Sequence, residues 1–476
     1  MPADPANVPV ADLAAALGRI SLLETELAQA QSLLQHQACT DAVTGATNRA
    51  GMVALLEKTI TNGGDGRALP TMLAVGLGAF SNAKLGRAGG KAVLQEAARR
   101  LQALAGSCGT VARMGNEEFA VLLPGGDYEG SLRLAVQLVT ALSGRMVLGE
   151  HTLWLEPCVG IRFGATGLSA EEQIRDAVLA ANHAEAHEQD HIQVFVPAML
   201  ERATQRVQMI ADLHEAISAD ELELHYQPVV DLSSGRMVGA EALVRWQHPQ
   251  WGQMQSAVFL PAAEEGGLMV ALGHWVLATA VRQLGEWSPL LAALPAFRVH
   301  VNLSPGELER PQIVGEIRKL LAKHQVPAGR LALELTESAI VSDFERTAKV
   351  LLGLRKLGVG LEIDDFGTGY SSISYLRSLP VDTAKIDRSL VTGVDTDPRQ
   401  QEFVAAILML IKAARLDVVA EGIETAGQAL ALANMGAGLG QGYHFSKPVP
   451  VDRLTAMLEA GTTFAIGEPV ASAYEV

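Results

Sequence analysis

At 476 residues the chain is too long for one ordinary hydrophobic core, so two or three domains are expected. Its 49% hydrophobic and 19% charged residues belong to a foldable globular protein and exclude a disordered one. A formal charge of -16 with no offsetting basic stripe argues against non-specific binding to nucleic acid.

The first 39 residues hold a short Pro-rich leader and then a helix. Leu13, Ile20, Leu27 and Leu34 recur every seven positions, with Ala16, Leu23 and Ala30 between them. This a/d pattern fits a single amphipathic helix or, better, a parallel coiled coil that joins two chains, because the apolar seam is narrow.

Residues 40–198 alternate strand-like and helix-like segments. TMLAVGLGAF and VARMGNEEFAVLLPG read as strands, whereas GKAVLQEAARRLQALAG and GSLRLAVQLVTALSG read as helices. An α/β or α+β domain of ordinary size is expected here. A helical stretch, PAMLERATQRVQMIADLHEAIS, then leads into a second domain that runs from 199, including this linker, to 460.

The second domain offers strand candidates at ELELHYQPVV, GRMVGAEALVRW, FRVHVNLSP, RLALELTES, GVGLEIDDFG, TAKIDRS, DVVAEGIE and GLGQGYHFS, with helix-length stretches between most of them. That count and spacing over about 250 residues predict a TIM-like (β/α)8 barrel. Residues 461–476 are small and polar and read as a flexible tail.

The barrel strands share one feature: a polar residue at or near the end of each apolar run. In order these are Glu241, Asn302, Glu334, Asp364 with Asp365, Lys385, Glu421 and Gln441. Catalytic groups of such barrels sit at the carboxyl ends of the strands. Five or six acids converging there cannot all stay ionised without cations. Carboxylate and amide oxygens with no His or Cys among them suit Mg²⁺ or Mn²⁺ rather than zinc. Adjacent Asp364 and Asp365 could serve two ions, a clamp for displacement at phosphorus, with Lys385 orienting a water or offsetting charge.

These motifs, with YQPVVDLSSGRMVGAEALVRWQHP, FLPAAEEGGL, VNLSP, ELTES, LEIDDFGTGYSSISYLRSLPVDTAKIDRS, VVAEGIET and QGYHFSKP, make the region from about 205 to 460 resemble an EAL domain, the family that opens cyclic di-GMP. The resemblance implies a phosphodiesterase that yields linear 5'-pGpG by a two-metal mechanism. It implies metal ligation by Glu241, Asn302, Glu334, Asp364, Asp365 and Glu421, with Lys385 holding the hydrolytic water. Gln227, Arg245 and Gln441 would contact substrate, and Glu337 would anchor the DDFGTGYSS loop. Two Mg²⁺ or Mn²⁺ ions are expected, with Ca²⁺ as an inhibitor.

The region 40–198 resembles a GGDEF domain, a nucleotide-cyclase-like fold that joins two GTP molecules into cyclic di-GMP. DAVTGATNRAG matches the family's usual start, but the signature reads Gly115, Asn116, Glu117, Glu118, Phe119. Gly76 and Gly78 stand where the family has metal-binding Asp residues, and Glu185 stands where a phosphate-contacting Lys is usual. Gly106 and Gly109 replace the charged pair of a product-inhibition site. A degenerate domain without synthase activity is expected, acting in regulation or dimerisation or binding GTP as an effector.

Two alternatives to the phosphodiesterase are a cyclic di-GMP receptor that does not turn over and an unrelated metal-dependent barrel with a Lys base. The expected partners are cyclic di-GMP and a second copy of the chain, joined through the coiled coil and the EAL domain. No apolar run approaches the roughly 20 residues of a membrane span. The cysteines Cys39, Cys108 and Cys158 have no paired spacing, so a reducing cytoplasm is the expected location.

Overall fold

The structure is a computed structural model that describes residues 19, 21–26, 37–62, 69–78, 82–148, 151–186, 190–219, 221–336, 344–367 and 379–467. The heptad positions Leu13, Ile20, Leu27 and Leu34 lie outside the described residues, as do Glu337 and most of the DDFGTGYSS loop. The chain divides into two compact units, Met1–Gln205 and Arg206–Val476.

The first unit holds a six-stranded sheet in the order β1-β3-β4-β2-β7-β8. Its elements are β1 (Thr47–Asn48), α1 (Arg49–Asn62), β2 (Thr71–Gly76), α2 (Asn82–Ala105), β3 (Thr110–Arg113), β4 (Glu118–Leu123), α3 (Tyr128–Ser143), the small hairpin β5 (Met146–Leu148) and β6 (His151–Leu153), β7 (Cys158–Arg162), α4 (Ala170–Glu185) and β8 (Ile192–Val194). The segment VARMGNEEFAVLLPG, expected as one strand, is instead the hairpin β3–β4, with Gly115, Asn116 and Glu117 of the signature in its turn. Four polar or Gly residues in a row (Gly115–Glu118, after Met114) break an otherwise buried run, and the turn falls there. Helix α4 starts at a capping box in which Ser169 and Glu172 satisfy each other's backbone N–H groups, an arrangement worth about 1 kcal/mol per cap.

Helix α5 (Pro197–Ala216) leads into the second unit, whose strands close a barrel. Its strands are β9 (Leu222–Asp231), β10 (Met237–His248), β12 (Arg298–Asn302), β13 (Leu331–Thr336), β14 (Gly360–Phe366), β15 (Thr383–Ile386), β16 (Asp417–Ala420) and β17 (Leu439–Gly440); the short β11 (Gly252–Gln255) extends β10 outside the ring. Helices α6 (Ser256–Glu265), α7 (Met269–Leu291), α8 (Pro305–Leu308), α9 (Ile313–Lys323), α10 (Phe344–Leu357), α11 (Arg388–Val391), α12 (Pro398–Ala413) and α13 (Ala426–Asn434) fall between the strands. All eight strand candidates are present. One difference concerns direction: β9 runs antiparallel to both β10 and β17, while the other ring pairs are parallel. The tight link Leu232–Arg236 between β9 and β10 allows this, since a hairpin needs no crossover helix.

A single apolar core lies between the barrel wall and its helices, centred on Tyr226, Trp246, Trp287, Phe259 and Phe297, all essentially buried. After β18 (Val449–Pro450) and α14 (Val451–Glu459), the described part of the expected flexible tail is docked, while residues 468–476 lie outside the described residues. Thr463 bridges Arg236, the Phe464 N–H donates to the Gly235 carbonyl at 2.7 Å, and the Phe464 ring meets Phe445 at 5.8 Å. This docking uses backbone groups and one aromatic ring, so side-chain polarity gave no sign of it.

Candidate active site

Strand alternation puts every second residue inside the barrel. On the parallel strands the inward residues near the carboxyl ends are Glu241, Asn302, Glu334, Asp364 and Lys385, with Glu421 and Gln441 directly after β16 and β17. Local signals fix these ends. Asp387 caps α11 by accepting from the Ser389 N–H at 2.8 Å, which ends β15 one residue beyond Lys385. Ser304 and Glu307 form a capping box that turns the chain into α8 immediately beyond Asn302.

Asp364 and Asp365 are neighbours, and regular strand geometry would send them to opposite faces. The pairing of β14 with β15 steps from Ile363↔Ala384 to Phe366↔Ile386, leaving one extra residue on β14. Asp365 absorbs this bulge with φ at 56°. Asp is one of the few non-Gly residues that tolerate the left-handed region. As a result Asp364, Asp365 and Glu421 each bring a carboxylate oxygen within 4.8 Å of the others.

Lys385 sits at the centre and is 1% exposed. Its Nζ lies 2.6 Å from Glu421 Oε1, 2.8 Å from Glu334 Oε1, 3.3 Å from Asp364 Oδ1 and 3.8 Å from Glu241 Oε2. Glu241 accepts from Asn302 Nδ2 at 2.8 Å and from Gln441 Nε2 at 2.6 Å. Gln441 Nε2 also donates to Gln227 Oε1 at 3.0 Å, and Gln227 Nε2 donates to the Ser446 carbonyl at 3.1 Å. The antiparallel β9 makes this contact possible by setting Gln227 directly opposite Glu241.

One cation cannot neutralise so many acids. Burial would push the Lys385 pKa down, but Glu241, Glu334, Glu421 and Asp364 reverse this and hold it well above its ordinary value. Burial would raise Glu241 as well, yet Lys385 and the donors Gln441 and Asn302 bring it below the usual carboxylate range. Glu334 goes the other way: burial and the charge of Glu241 push it well up against the pull of Lys385. Burial likewise raises Glu421 to about 7, and it raises Asp365 with help from Asp364. Both Glu334 carboxylate oxygens and Asp364 Oδ1 are buried without an aligned hydrogen-bond donor. Oxygen atoms in that condition take up protons or hard cations, so the donor set fits Mg²⁺ or Mn²⁺.

The cluster opens into a cleft of about 290 Å³ whose walls include Gln227, Glu241, Asp364, Glu421 and Gln441, with Arg388 and Tyr443 at its mouth. A second cleft of about 480 Å³ is lined by Leu243, Leu260, Met269 and Val276 and includes Asn302 in its wall. Arg245 is buried, and its Nη1 donates to the Val244 carbonyl at 2.8 Å. It is one strand repeat beyond Leu243, on the face that carries Glu241. Two inward residues one repeat below the rim were not expected: His300 beneath Asn302 and Glu362 beneath Asp364. Counting back two positions from each rim residue would have found them.

The first unit has its own cleft, of about 500 Å³, at the β3–β4 turn. Gly76, Gly78, Asn116, Glu117, Glu118, Cys158 and Glu185 line it, and no Lys or Arg is among its described lining residues. Burial and the charge of Glu185 raise Glu117, and burial raises the Cys158 thiol to about 11. Gly78 has φ at 73°, and a Cβ there would lie 2.5 Å from the Glu156 carbonyl oxygen.

A barrel with one antiparallel strand and a carboxylate rim around a lysine, preceded by a six-stranded α/β unit, defines the class. The EAL domain family model matches residues 210–448, and the diguanylate cyclase, GGDEF domain model matches residues 38–191. The chain belongs to the EAL domain family and carries a GGDEF domain ahead of its barrel. It is 36% identical over 93% of its length to cyclic di-GMP phosphodiesterase NbdA of Pseudomonas aeruginosa, and 34% identical over 92% to the bifunctional diguanylate cyclase/cyclic di-GMP phosphodiesterase MucR of the same organism. It spans 57% and 64% of the lengths of these two relatives. Among solved structures, the PaMucR phosphodiesterase in complex with c-di-GMP matches 52% of this chain and 99% of its own, with TM-score 0.50 and 39% identity. The S helix-GGDEF-EAL portion of Vibrio cholerae LapD covers 88% of this chain and 99% of its own at TM-score 0.56; at 18% identity it shows the fold alone. Among the described residues no helix is long and apolar enough to cross a membrane.

Proposed function

We propose that this chain hydrolyses cyclic di-GMP to linear 5'-pGpG at the rim of its barrel and that its GGDEF domain makes none. The observation that carries the reading is the Lys385 cluster: a buried ammonium in contact with four carboxylates, ringed by amides, at the open end of a barrel. Relatives that share both domains are named as phosphodiesterases of this dinucleotide, which supports the substrate assignment.

Glu241, Asn302, Glu334, Asp364, Asp365 and Glu421 would hold two Mg²⁺ or Mn²⁺ ions. Such ions supply Lewis-acid activation of water and stabilise the leaving oxygen. Lys385 contributes donors that orient the attacking water and a fixed positive charge near the scissile phosphate. Gln441 and Gln227 hold Glu241 in one orientation and present amide groups to the dinucleotide, while the Arg245 guanidinium suits a phosphate. The apolar cleft beside Asn302 suits a base, and Glu337 is the proposed anchor of the loop after Gly367. The GGDEF domain serves dimerisation or regulation, with the second copy joined through the heptad seam and the barrel. Its acid-lined cleft favours this over GTP as an effector, because a triphosphate would meet the carboxylates of Glu118 and Glu185 there.

The test is turnover of cyclic di-GMP by the full chain. With Mg²⁺ or Mn²⁺ the product should be pGpG, chelation should stop the reaction, and Ca²⁺ should inhibit because it favours longer bonds and higher coordination. Tight binding of cyclic di-GMP with no turnover in either metal would make the chain a receptor instead.

A further inference from the structure

The interior of a (β/α)8 barrel is normally filled by branched apolar side chains. In this barrel the layer beneath the rim holds a hydrogen-bonded pair of polar side chains. His300 on β12 and Glu362 on β14 are 4% and 2% exposed, and His300 Nδ1 stands 3.0 Å from Glu362 Oε2. The same Nδ1 lies 3.7 Å from Oε1 of Glu334, which is on β13 between them. In the strand register Glu334 pairs with Glu362, and His300 pairs with Ala332, one repeat below Glu334, so the ring reaches both carboxylates from beneath.

The space for the ring is specific. On β10, Gly239 faces the other edge of the imidazole, and a Cβ there would come within 2.6 Å of His300 Nε2. Glu362 therefore fixes the tautomer, with the proton on Nδ1, and Gly239 fixes the ring's seat. His300, Glu334 and Glu362 are also close enough to share a metal ion. Lys385 Nζ, 2.8 Å from Glu334 Oε1, already supplies a cation beside that cluster, so a supporting role fits better than a third ion site.

We infer that His300, held by Glu362 and seated against Gly239, is a positioning residue: its Nδ1 edge, bonded to Glu362 and 3.7 Å from Glu334 Oε1, backs the Glu334 carboxylate so that it stays turned to the rim as a metal ligand. The inference rests on the metal site proposed above. Groups that orient a metal ligand from behind typically change metal affinity by about 10–100-fold when removed.

The experiment measures Mn²⁺ affinity of the full chain by the loss of the free-ion EPR signal, without substrate, in two near-isosteric variants. In His300→Asn the amide nitrogen takes the place of Nδ1, whereas in His300→Gln it takes the place of Nε2 and faces Gly239. His300→Asn should bind Mn²⁺ within about threefold of the unmodified chain, and His300→Gln about tenfold more weakly. Thermal unfolding checks that both are folded. If His300→Gln does not fold, the double variant His300→Leu with Glu362→Leu replaces it, since it leaves no charge buried alone, and the same tenfold loss is expected. Equal affinities in both variants, whether unchanged or equally weakened, would overturn the inference, because simple packing does not distinguish the two nitrogens. An unmodified chain that binds no Mn²⁺ would instead overturn the metal site itself.

Discussion

Both halves of the chain gather carboxylates around a cleft, and the two gatherings differ in what stands among them. In the barrel, Glu241, Glu334, Asp364 and Glu421 surround Lys385, and amides from Asn302, Gln227 and Gln441 hold part of the set in place. In the GGDEF domain, Glu117, Glu118 and Glu185 line a cleft with no cation among its described lining residues, beside two glycines where metal-binding Asp residues would be expected. A fixed cation and orienting donors keep some carboxylates ionised and ready for metal, and this is what the Lys385 cluster has that the described lining of the other cleft does not.

The comparison would break most sharply on turnover. Glu241→Ala removes a proposed ligand that is also the junction of the Asn302 and Gln441 hydrogen bonds. Its effect on cyclic di-GMP hydrolysis should exceed the roughly 10–100-fold that loss of a mere supporting group causes. Glu118→Ala, in the other cleft, should leave the rate unchanged. Steady-state assays of the two variants side by side decide it, and a fully active Glu241→Ala would remove the metal assignment.

Next in size is the absence of synthesis. No cyclic di-GMP should form from GTP, even in a Glu241→Ala background where product would accumulate. Restoring one acid with Gly78→Asp should not change that. A side chain there requires φ near 73° and places Cβ 2.5 Å from the Glu156 carbonyl oxygen. The variant should lose about 1–3 kcal/mol of stability, the usual cost of such backbone strain. Synthesis by Gly78→Asp, measured chromatographically, would show that the backbone at this turn still accepts a ligand.

Much of the barrel was legible because each rim residue ends an apolar run, a pattern that burial imposes on the strand and solvent on its tip. Lys385 was legible for the same reason. The direction of β9 was not, because alternation of apolar residues is the same whichever way a strand runs. Nor could Asp365 be placed by periodicity, since its position beside Asp364 and Glu421 depends on a bulge. His300 and Glu362 carried a signal two positions behind Asn302 and Asp364, but in a stretch that reads as ordinary strand. The docking of Thr463 and Phe464 on Gly235 and Arg236 depends on backbone pairing, which leaves no mark on side-chain composition.

The Asp365 turn offers a smaller and separable effect. Asp365→Asn keeps a residue that tolerates the left-handed region and removes the charge, so Mn²⁺ affinity should fall while thermal stability stays the same. Asp365→Leu should lose the affinity and also about 1–2 kcal/mol of stability, because an ordinary side chain is disfavoured at φ 56°. Denaturant unfolding of the pair isolates the backbone contribution. Equal stability of the two variants would mean that the bulge relaxes and does not by itself bring Asp365 to Asp364 and Glu421.

The smallest effect concerns the seam that both domains follow in sequence. Leu13, Ile20, Leu27 and Leu34 are its proposed apolar line, and Leu23, one of the described positions between them, is 61% exposed in the single chain. An exposed leucine at a heptad position is what a second copy would cover. Replacing Ile20 and Leu27 with Asp would place unpaired charges in that seam, which a dimer tolerates poorly. Light scattering should then show a lower mass, and hydrolysis should change by a factor of several, within the 1–3 kcal/mol of ordinary coupling between sites. The two readouts separate the roles: loss of mass with unchanged turnover would make the seam an assembly element only. Unchanged mass would return these leucines to a single amphipathic helix, leaving the barrel's own Lys385 cluster to set the rate without help from a partner.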